Sequence, residues 1–349
     1  KKRQLGIPTV VDRLVQQAIN QVLMPHYERK FSRTSFGFRP RKGCHDALRK
    51  AQKIVEKGYT YVVDLDLERF FDTVSHSKLI EILSRSIKDG RVISLIHKYL
   101  RSGVMNHGVF EMNEVGTPQG GPLSPLLSNI MLNELDKELE HRGHPFVRYA
   151  DDAMIFCKSK RAAMRVKATI TRFIESKLHL KVNKEKTVVS YVRGVKYLGY
   201  SFYVQKGKCK LTVHPKSKMK MKARLKLLTS RSNGWGYTKR KQKLKEYIRG
   251  WIGYYHLAEM QHFLVKIDEW LRRRIRMCIW KAWKNVKTKV TNLIKCGINK
   301  SKAYEWGNTR KGYWRIADSF ILHRTITKEK LRKAGYVTLM GEYLEWHPK

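Results

Sequence analysis

Two adjacent carboxylates, Asp151 and Asp152, interrupt an apolar strand pattern in a way that serves chemistry better than topology. Pro145-Phe146-Val147-Arg148 upstream and Ala153-Met154-Ile155-Phe156-Cys157 downstream read as strands. Tyr149-Ala150-Asp151-Asp152 between them is therefore a tight turn with two acids at the tip of a hairpin. Asp is also an ordinary turn residue, so the tetrad alone fits a plain turn equally well. A second acidic group lies in Tyr59-Thr60-Tyr61-Val62-Val63-Asp64-Leu65-Asp66-Leu67-Glu68-Arg69-Phe70-Phe71-Asp72. Its β-branched and aromatic residues predict a strand, and alternation puts Asp64 and Asp66 on one face. By pattern alone Asp64, Glu68 and Asp72 read as solvated surface acids, and nothing yet singles out Asp66. The third stretch is Gly116-Thr117-Pro118-Gln119-Gly120-Gly121-Pro122-Leu123-Ser124-Pro125, a loop opening a helix. Glycines there let a backbone come close to a ligand and a helix start favours negative charge, which suits a phosphate-bearing nucleotide. An ordinary Gly-Pro turn has the same composition.

The partner of such a site is indicated by charge. Across 349 residues, 73 Lys and Arg oppose 29 Asp and Glu, a formal net charge of +44. That excess points to a polyanion. Residues 1 to 204 hold 36 basic and 20 acidic side chains, net +16, and residues 205 to 349 hold 37 and 9, net +28, so the second part is the more strongly polyanion-binding one. Neither an amphipathic anchor nor a lipidation signal accompanies the charge, so nucleic acid is expected and a membrane is not. The five cysteines, Cys44, Cys157, Cys209, Cys278 and Cys296, form no Cys-x-x-Cys pair, which argues against disulfides and zinc. No long apolar run or signal peptide is visible, and a cytosolic protein is expected. The sequence opens at Lys1 within what reads as a strand entering Ile7-Pro8-Thr9, as a fragment would.

The elements that must position these residues follow from periodicity. Val10, Val11, Leu14, Val15, Ala18, Ile19, Val22 and Leu23 predict a buried amphipathic helix over 9–23. Ser35-Phe36-Gly37-Phe38-Arg39-Pro40-Arg41 suits a loop touching a nucleic-acid backbone. A helix over 44–57, two short helices over 76–101 split at Asp89-Gly90, and a hairpin around 103–115 come next. They are followed by helices over 126–140 and 160–177, a loop and strand over 178–189 and a strand over 195–202 with Gly199 inside it. The order is that of a mixed α+β sheet.

These segments resemble a family. The stretches LGIPTVVDRLVQQAINQVL, SFGFRPRKGCHDAL, YVVDLDLERFFDTVSH, GTPQGGPLSPLLSNIMLNELD, FVRYADDAMIF, LKVNKEKT and VKYLGYSF, in this order over residues 3 to 202, resemble the right-hand polymerase palm of reverse transcriptases. More narrowly they resemble the group II intron reverse transcriptases, or maturases, of bacterial type. KEYIRGWIGYYH and WLRRRIRMCIWKAW are similar to the family's thumb, or maturase, region. The resemblance implies an α+β fold of palm and partial fingers followed by an α-helical thumb and a small basic tail. The divisions expected are 1–58 for truncated fingers and the start of the palm, 59–205 for the palm, 206–285 for the thumb and 286–349 for the basic tail.

The resemblance also implies roles. Asp66, Asp151 and Asp152 take the catalytic positions and, with the Leu67 carbonyl, would bind two Mg²⁺ ions, with Mn²⁺ as a substitute. Oxygen ligands of this kind are what Mg²⁺ prefers. Phe71 matches the aromatic that excludes a ribose 2′-hydroxyl. Gln119, Gly120 and Gly121 would line the nascent base pair, with Tyr149 also at the substrate, and Arg3 would hold the triphosphate. Leu198 and Gly199 would lie under the primer end. Lys186 matches a general acid to pyrophosphate, though a solvated lysine is the plainer reading. The implied function is RNA-directed DNA polymerisation on intron RNA, with primer, dNTPs and target DNA as partners, in a bacterial cytosol, together with assistance to splicing. A splicing maturase without polymerase activity is the alternative.

The last third carries no acid among the 15 Lys and Arg of residues 206–245, a run that needs a partner. Leu244, Tyr247, Ile248, Trp251, Ile252 and Tyr255 predict a thumb helix. Trp270, Leu271, Ile275, Cys278 and Ile279 predict the core face of a second, with Arg272, Arg273, Arg274 and Arg276 on its surface. Tyr304, Trp306, Tyr313, Trp314 and Tyr336 are expected to extend the nucleic-acid surface. After Cys278 only Cys296, His323 and His347 remain as soft ligands, too few for a His-Asn-His nuclease, so no DNA cleavage is expected.

Overall fold

A computed structural model describes residues 6–106, 109–111, 115–117 and 120–348. Arg3 and Gln119 lie outside the described residues. The chain forms two compact units, Lys1–Lys210 and Leu211–Lys349.

The first unit is built on a four-stranded antiparallel sheet. Helices α1 (Val10–Glu28) and α2 (Cys44–Glu56) precede β1 (Tyr61–Leu65), and α3 (Phe70–Thr73), α4 (His76–Ser84) and α5 (Gly90–Arg101) follow it. A small hairpin of β2 (Val104–Asn106) and β3 (Val109–Glu111) leads to α6 (Ser124–His141). The central hairpin is β4 (Phe146–Tyr149) and β5 (Asp152–Cys157), followed by α7 (Lys160–Lys177) and β6 (Val188–Tyr191). β7 (Tyr200–Gln205) and β8 (Lys208–Val213) pair separately.

β1 pairs with β5 in the register Leu65↔Ala153 and with β6 in the register Asp64↔Val188. Helix α7 starts where Ser159 accepts a hydrogen bond from the Ala162 amide, and it lays Ala163, Val166, Ile170 and Ile174 on the sheet. Helix α6 is enclosed on nearly every side, with Leu126, Ile130, Met131, Leu135 and Leu139 in the core. Its polar Ser128, Asn129, Asn133 and Asp136 are buried too. Buried polar groups have to be partnered, and two of these residues meet the site described below.

Three expectations change. Residues 6–9 form no strand: Thr9 caps α1 by accepting from the Asp12 amide. The apolar stripe of α1 is largely uncovered, with Val10, Val11, Leu14 and Val22 each about 70% exposed. The covered face is instead Gln16, Leu23 and Tyr27, because the polar side of α1 is the one that meets the Gly121–Pro122 loop. Gly199 lies in a turn rather than within a strand.

The second unit is helical. Its long members are α8 (Pro215–Leu228), α9 (Tyr237–Tyr255) and α10 (Gln261–Ala282). Shorter helices follow: α11 (Val286–Lys295), α12 (Lys300–Gly307), α13 (Tyr313–Ile316), α14 (Phe320–Thr325), α15 (Lys328–Lys333) and α16 (Leu339–Glu345). Leu244, Ile248, Trp251 and Ile252 are buried as their spacing predicts. In α10 two assignments reverse. Arg276 is buried and donates to the Ile326 carbonyl, whereas Trp270 is half-exposed beneath Lys222 and Arg274. Trp306 and Tyr336 are core residues, and Tyr304, Tyr313 and Trp314 stay at the surface. Among the described residues no helix is long and apolar enough to cross a membrane.

Candidate active site

The acids meet because antiparallel pairing of β1 with β5 brings the end of one strand beside the start of the other. With Leu65 opposite Ala153, the next residue on each chain is Asp66 or Asp152. Asp64 feels both as neighbouring charges. Burial, and then the charges of Asp152 and Asp66, push its carboxyl up to about 6. Asp64 is thus no solvated surface acid, contrary to the pattern-based reading, because β5 and β6 flank it on both sides.

Asp66 is held from behind by the turn that follows α7. Its carbonyl accepts from the Asn183 amide at 2.9 Å, and its amide donates to Thr187 Oγ1 at 3.2 Å. Leu67 forms an antiparallel bridge to Val182. The same turn brings Lys186 Nζ to 3.3 Å from Asp66 Oδ2, although the lysine side chain is 69% exposed. Asp66 Oδ2 is itself enclosed and makes no hydrogen bond.

Asp151 and Asp152 sit at a two-residue turn in which Tyr149 pairs with Asp152. Ala150 takes φ 56°, the left-handed region that costs an L-residue about 1–2 kcal/mol. Two features hold it there. Arg148 Nη1 donates to the Ala150 carbonyl at 2.9 Å, and Gly37 presses on the turn so closely that a β-carbon would lie 2.2 Å from the Ala150 nitrogen. The Gly37 segment runs alongside β4: the Phe36 amide donates to the Arg148 carbonyl at 2.9 Å and the Arg148 amide to the Thr34 carbonyl at 3.0 Å. Part of the 35–41 stretch is thus turned inward to support the turn, while Phe38 and Arg41 stay exposed. Phe36 is buried, and Arg39 is buried against Glu28 with Nη1 on the Ser35 carbonyl.

The remaining candidates surround this cluster. Phe71 is half-buried against Phe70, and its carbonyl accepts from the Thr117 amide at 2.6 Å. Gly116, at φ 93°, lies so near that a β-carbon would meet the Phe71 carbonyl at 2.8 Å, and its own carbonyl is bonded to His76 Nε2 at 2.6 Å. Gly120 is exposed with φ 120°, and Gly121 is packed on Gln16. Leu198 and Gly199, both at positive φ, are the centre of a tight turn closed by reciprocal Tyr197–Tyr200 backbone bonds of 3.0 and 2.9 Å. The Tyr197 ring below that turn is fully enclosed. Burial, and then the Asp152 charge, push its hydroxyl well above the usual range. Tyr149 is half-buried.

A hard divalent cation fits these residues. An enclosed carboxylate oxygen without a hydrogen bond, in a crowd of acids, is the kind of ligand such a cation needs. Among the described residues no three His, Cys, Asp or Glu side chains group closely enough to hold an ion unaided.

Sequence reasoning missed the groups behind the acids: Asn129, Asp136 and Arg148. The one available signal was a cluster of polar residues recurring along an otherwise apolar α6.

Residues 1–202 match the family Reverse transcriptase (RNA-dependent DNA polymerase), and residues 218–297 match Group II intron, maturase-specific domain. Protein YkfC of Escherichia coli is 33% identical, the match covering 57% of this chain and 63% of that protein. Group II intron-encoded protein LtrA of Lactococcus lactis subsp. cremoris is 31% identical, over 59% of this chain and 45% of that protein. The chain thus spans less than two thirds of the length of either relative. Among solved structures, apo telomerase from Candida tropicalis is similar with a TM-score of 0.47 and 14% identity, covering 97% of this chain and 56% of that one. The first match alone takes in more than half of the chain, and with the second it shows that the chain belongs to the reverse transcriptase family, among its group II intron reverse transcriptases and maturases.

Proposed function

We propose that this chain copies intron RNA into DNA and, through its basic second unit, binds the intron RNA and assists its splicing. The observation that carries the reading is the gathering of Asp64, Asp66 and Asp152 at the joined ends of β1 and β5, where burial first, and then the Asp152 and Asp66 charges, raise the Asp64 carboxyl to about 6. Acids gathered in this way, with one enclosed oxygen that makes no hydrogen bond and has only an exposed lysine beside it, favour the approach of further positive charge.

Asp66, Asp151, Asp152 and the Leu67 carbonyl would hold two Mg²⁺ ions, or Mn²⁺ in their place. When bound, the ions supply Lewis-acid activation of the primer 3′-hydroxyl and neutralise charge on the triphosphate. The chain's own residues do the rest. Asp66 is fixed by the 183–187 turn, and Lys186, paired with it at 3.3 Å, would give a proton to departing pyrophosphate. The Phe71 ring, with its backbone held by Thr117, fills the space of a ribose 2′-hydroxyl and selects dNTPs. Gly120 leaves the loop open to the nascent pair, and the rigid Leu198–Gly199 turn carries the primer end. The second unit supplies counter-charge for RNA phosphates, with target DNA as a further partner.

Primer extension on an RNA template, with dNTPs against NTPs, tests this directly. The expected result is dNTP incorporation that is lost in Asp66→Asn and Asp151→Asn while RNA affinity stays near wild type. RNA binding without any extension by the wild-type chain would favour the splicing-only alternative. Near wild-type extension by either Asn variant would remove these acids from the metal site.

A further inference from the structure

We propose that Arg148, clamped by Asp136 and Asn129 of α6, is the positioning residue that sets Asp151 and Asp152 for metal binding; this rests on the polymerase reading above. The Arg148 and Asp136 side chains are each 1% exposed. The guanidinium meets the carboxylate in a two-pronged pair, Nε to Oδ1 at 2.8 Å and Nη2 to Oδ2 at 2.5 Å. Nη1 then reaches two further acceptors, Asn129 Oδ1 at 3.0 Å and the Ala150 carbonyl at 2.9 Å. Asn129 returns the link by donating Nδ2 to the Gly37 carbonyl at 2.8 Å.

The geometry forms a closed bracket. One guanidinium ties α6 to the carbonyl of Ala150, and the asparagine that shares its Nη1 ties α6 to Gly37, whose Cα abuts the other side of the same turn. Both contacts bear on the left-handed residue immediately before Asp151. An ion pair enclosed this fully adds little to stability over apolar residues of the same size, so its use lies in the geometry it imposes. A planar fork with fixed donor directions can impose that geometry and a lysine cannot. The direction of each acid at the turn is then set by α6, a helix that contributes no acid to the cluster.

The test compares the full chain with Arg148→Lys and with the double replacement Arg148→Met/Asp136→Leu. Trading a buried ion pair for apolar residues commonly keeps the fold, so the double variant carries the test if the lysine variant does not fold. Mn²⁺ binding to the protein with primer, template and dNTP is followed by electron paramagnetic resonance, alongside kcat, dNTP KM and primer-template affinity. The expected result in folded variants is Mn²⁺ affinity lower by about tenfold and kcat lower by about 10²-fold, the scale of losing a group that orients metal ligands. The KM and primer-template affinity should hold. Folded variants with wild-type Mn²⁺ affinity and kcat would overturn the proposal. A wild-type chain that binds Mn²⁺ but does not extend a primer would instead overturn the polymerase reading, and the Mn²⁺ comparison would still decide the role of Arg148.

Discussion

Replacing Gly37 by alanine should disable the turn that carries Asp151 without touching any acid. The new β-carbon would stand 2.2 Å from the Ala150 nitrogen and 2.9 Å from both Ala150 Cα and the Tyr149 carbonyl carbon, all of them backbone atoms. Ordinary contact begins at 3.4 Å, so the turn or the 34–38 segment has to retreat by about 1.2 Å (3.4 − 2.2). The segment is poorly free to move, since the Phe36 amide and the Thr34 carbonyl are bonded to Arg148 on one side and the Gly37 carbonyl to Asn129 on the other. The turn therefore takes much of the displacement. Overpacking of this sort costs about 1–3 kcal/mol of stability, and a shift of about 1 Å in a reacting group costs roughly 10²-fold in rate. Single-turnover primer extension and a urea melt on the same preparation measure the two effects separately. An alanine variant that extends within twofold of wild type would show that the close approach of Gly37 does not set the acids.

Other outcomes follow from the same geometry. Phe71→Val should admit ribonucleotides, read as a fall in the dNTP over NTP ratio in single-nucleotide incorporation; an unchanged ratio would move the selecting group elsewhere. RNA affinity should fall steeply with salt, because each phosphate contact releases counterion. Charge reversal of several lysines in 206–245 should flatten that slope, and a slope left untouched would place the main contact outside that stretch. Asp268, 4% exposed, accepts from the Leu339 amide at 2.8 Å and the Met340 amide at 2.9 Å at the start of α16. Asp268→Ala leaves those two donors bare and should cost about 1–3 kcal/mol in a thermal or chemical melt. A melt that does not move would mean that water replaces the carboxylate at no cost.

How much of this was legible depended on what periodicity can report. The run Lys160–Lys177 formed the helix expected, with Ser159 capping it, and the β4–β5 hairpin fell where the acids break the apolar pattern. Periodicity distinguishes one face of an element from the other but does not say which will be covered. In α1 Val10, Val11, Leu14 and Val22 of the apolar stripe stayed outside, while Leu23 and the face with Gln16 went in. In α6 the spacing predicts the helix but not its surroundings: Asn129 and Asp136 are enclosed because Arg148 arrives from β4 to meet them. Asp64 was missed for a related reason: alternation puts it on the same face as Asp66, but only the pairing of β1 with β5 on one edge and β6 on the other reveals the crowding.

The bonds that fix Asp66 also carry a consequence for biosynthesis. Thr187 is 121 positions away along the chain, and β5 enters from the interval between them. Contacts so distant in sequence form late, since the entropy of closing a long loop must be met before any of them returns stabilisation. A nascent chain on the ribosome therefore has no assembled acid cluster until the segment through Thr187 has emerged and docked. Up to that point the basic residues already made could meet RNA phosphates while the site remained inert. In pulse-labelled hydrogen exchange during refolding, the Asp66 amide should gain protection together with the Asn183 amide, which donates to the Asp66 carbonyl, and later than the amides of α7.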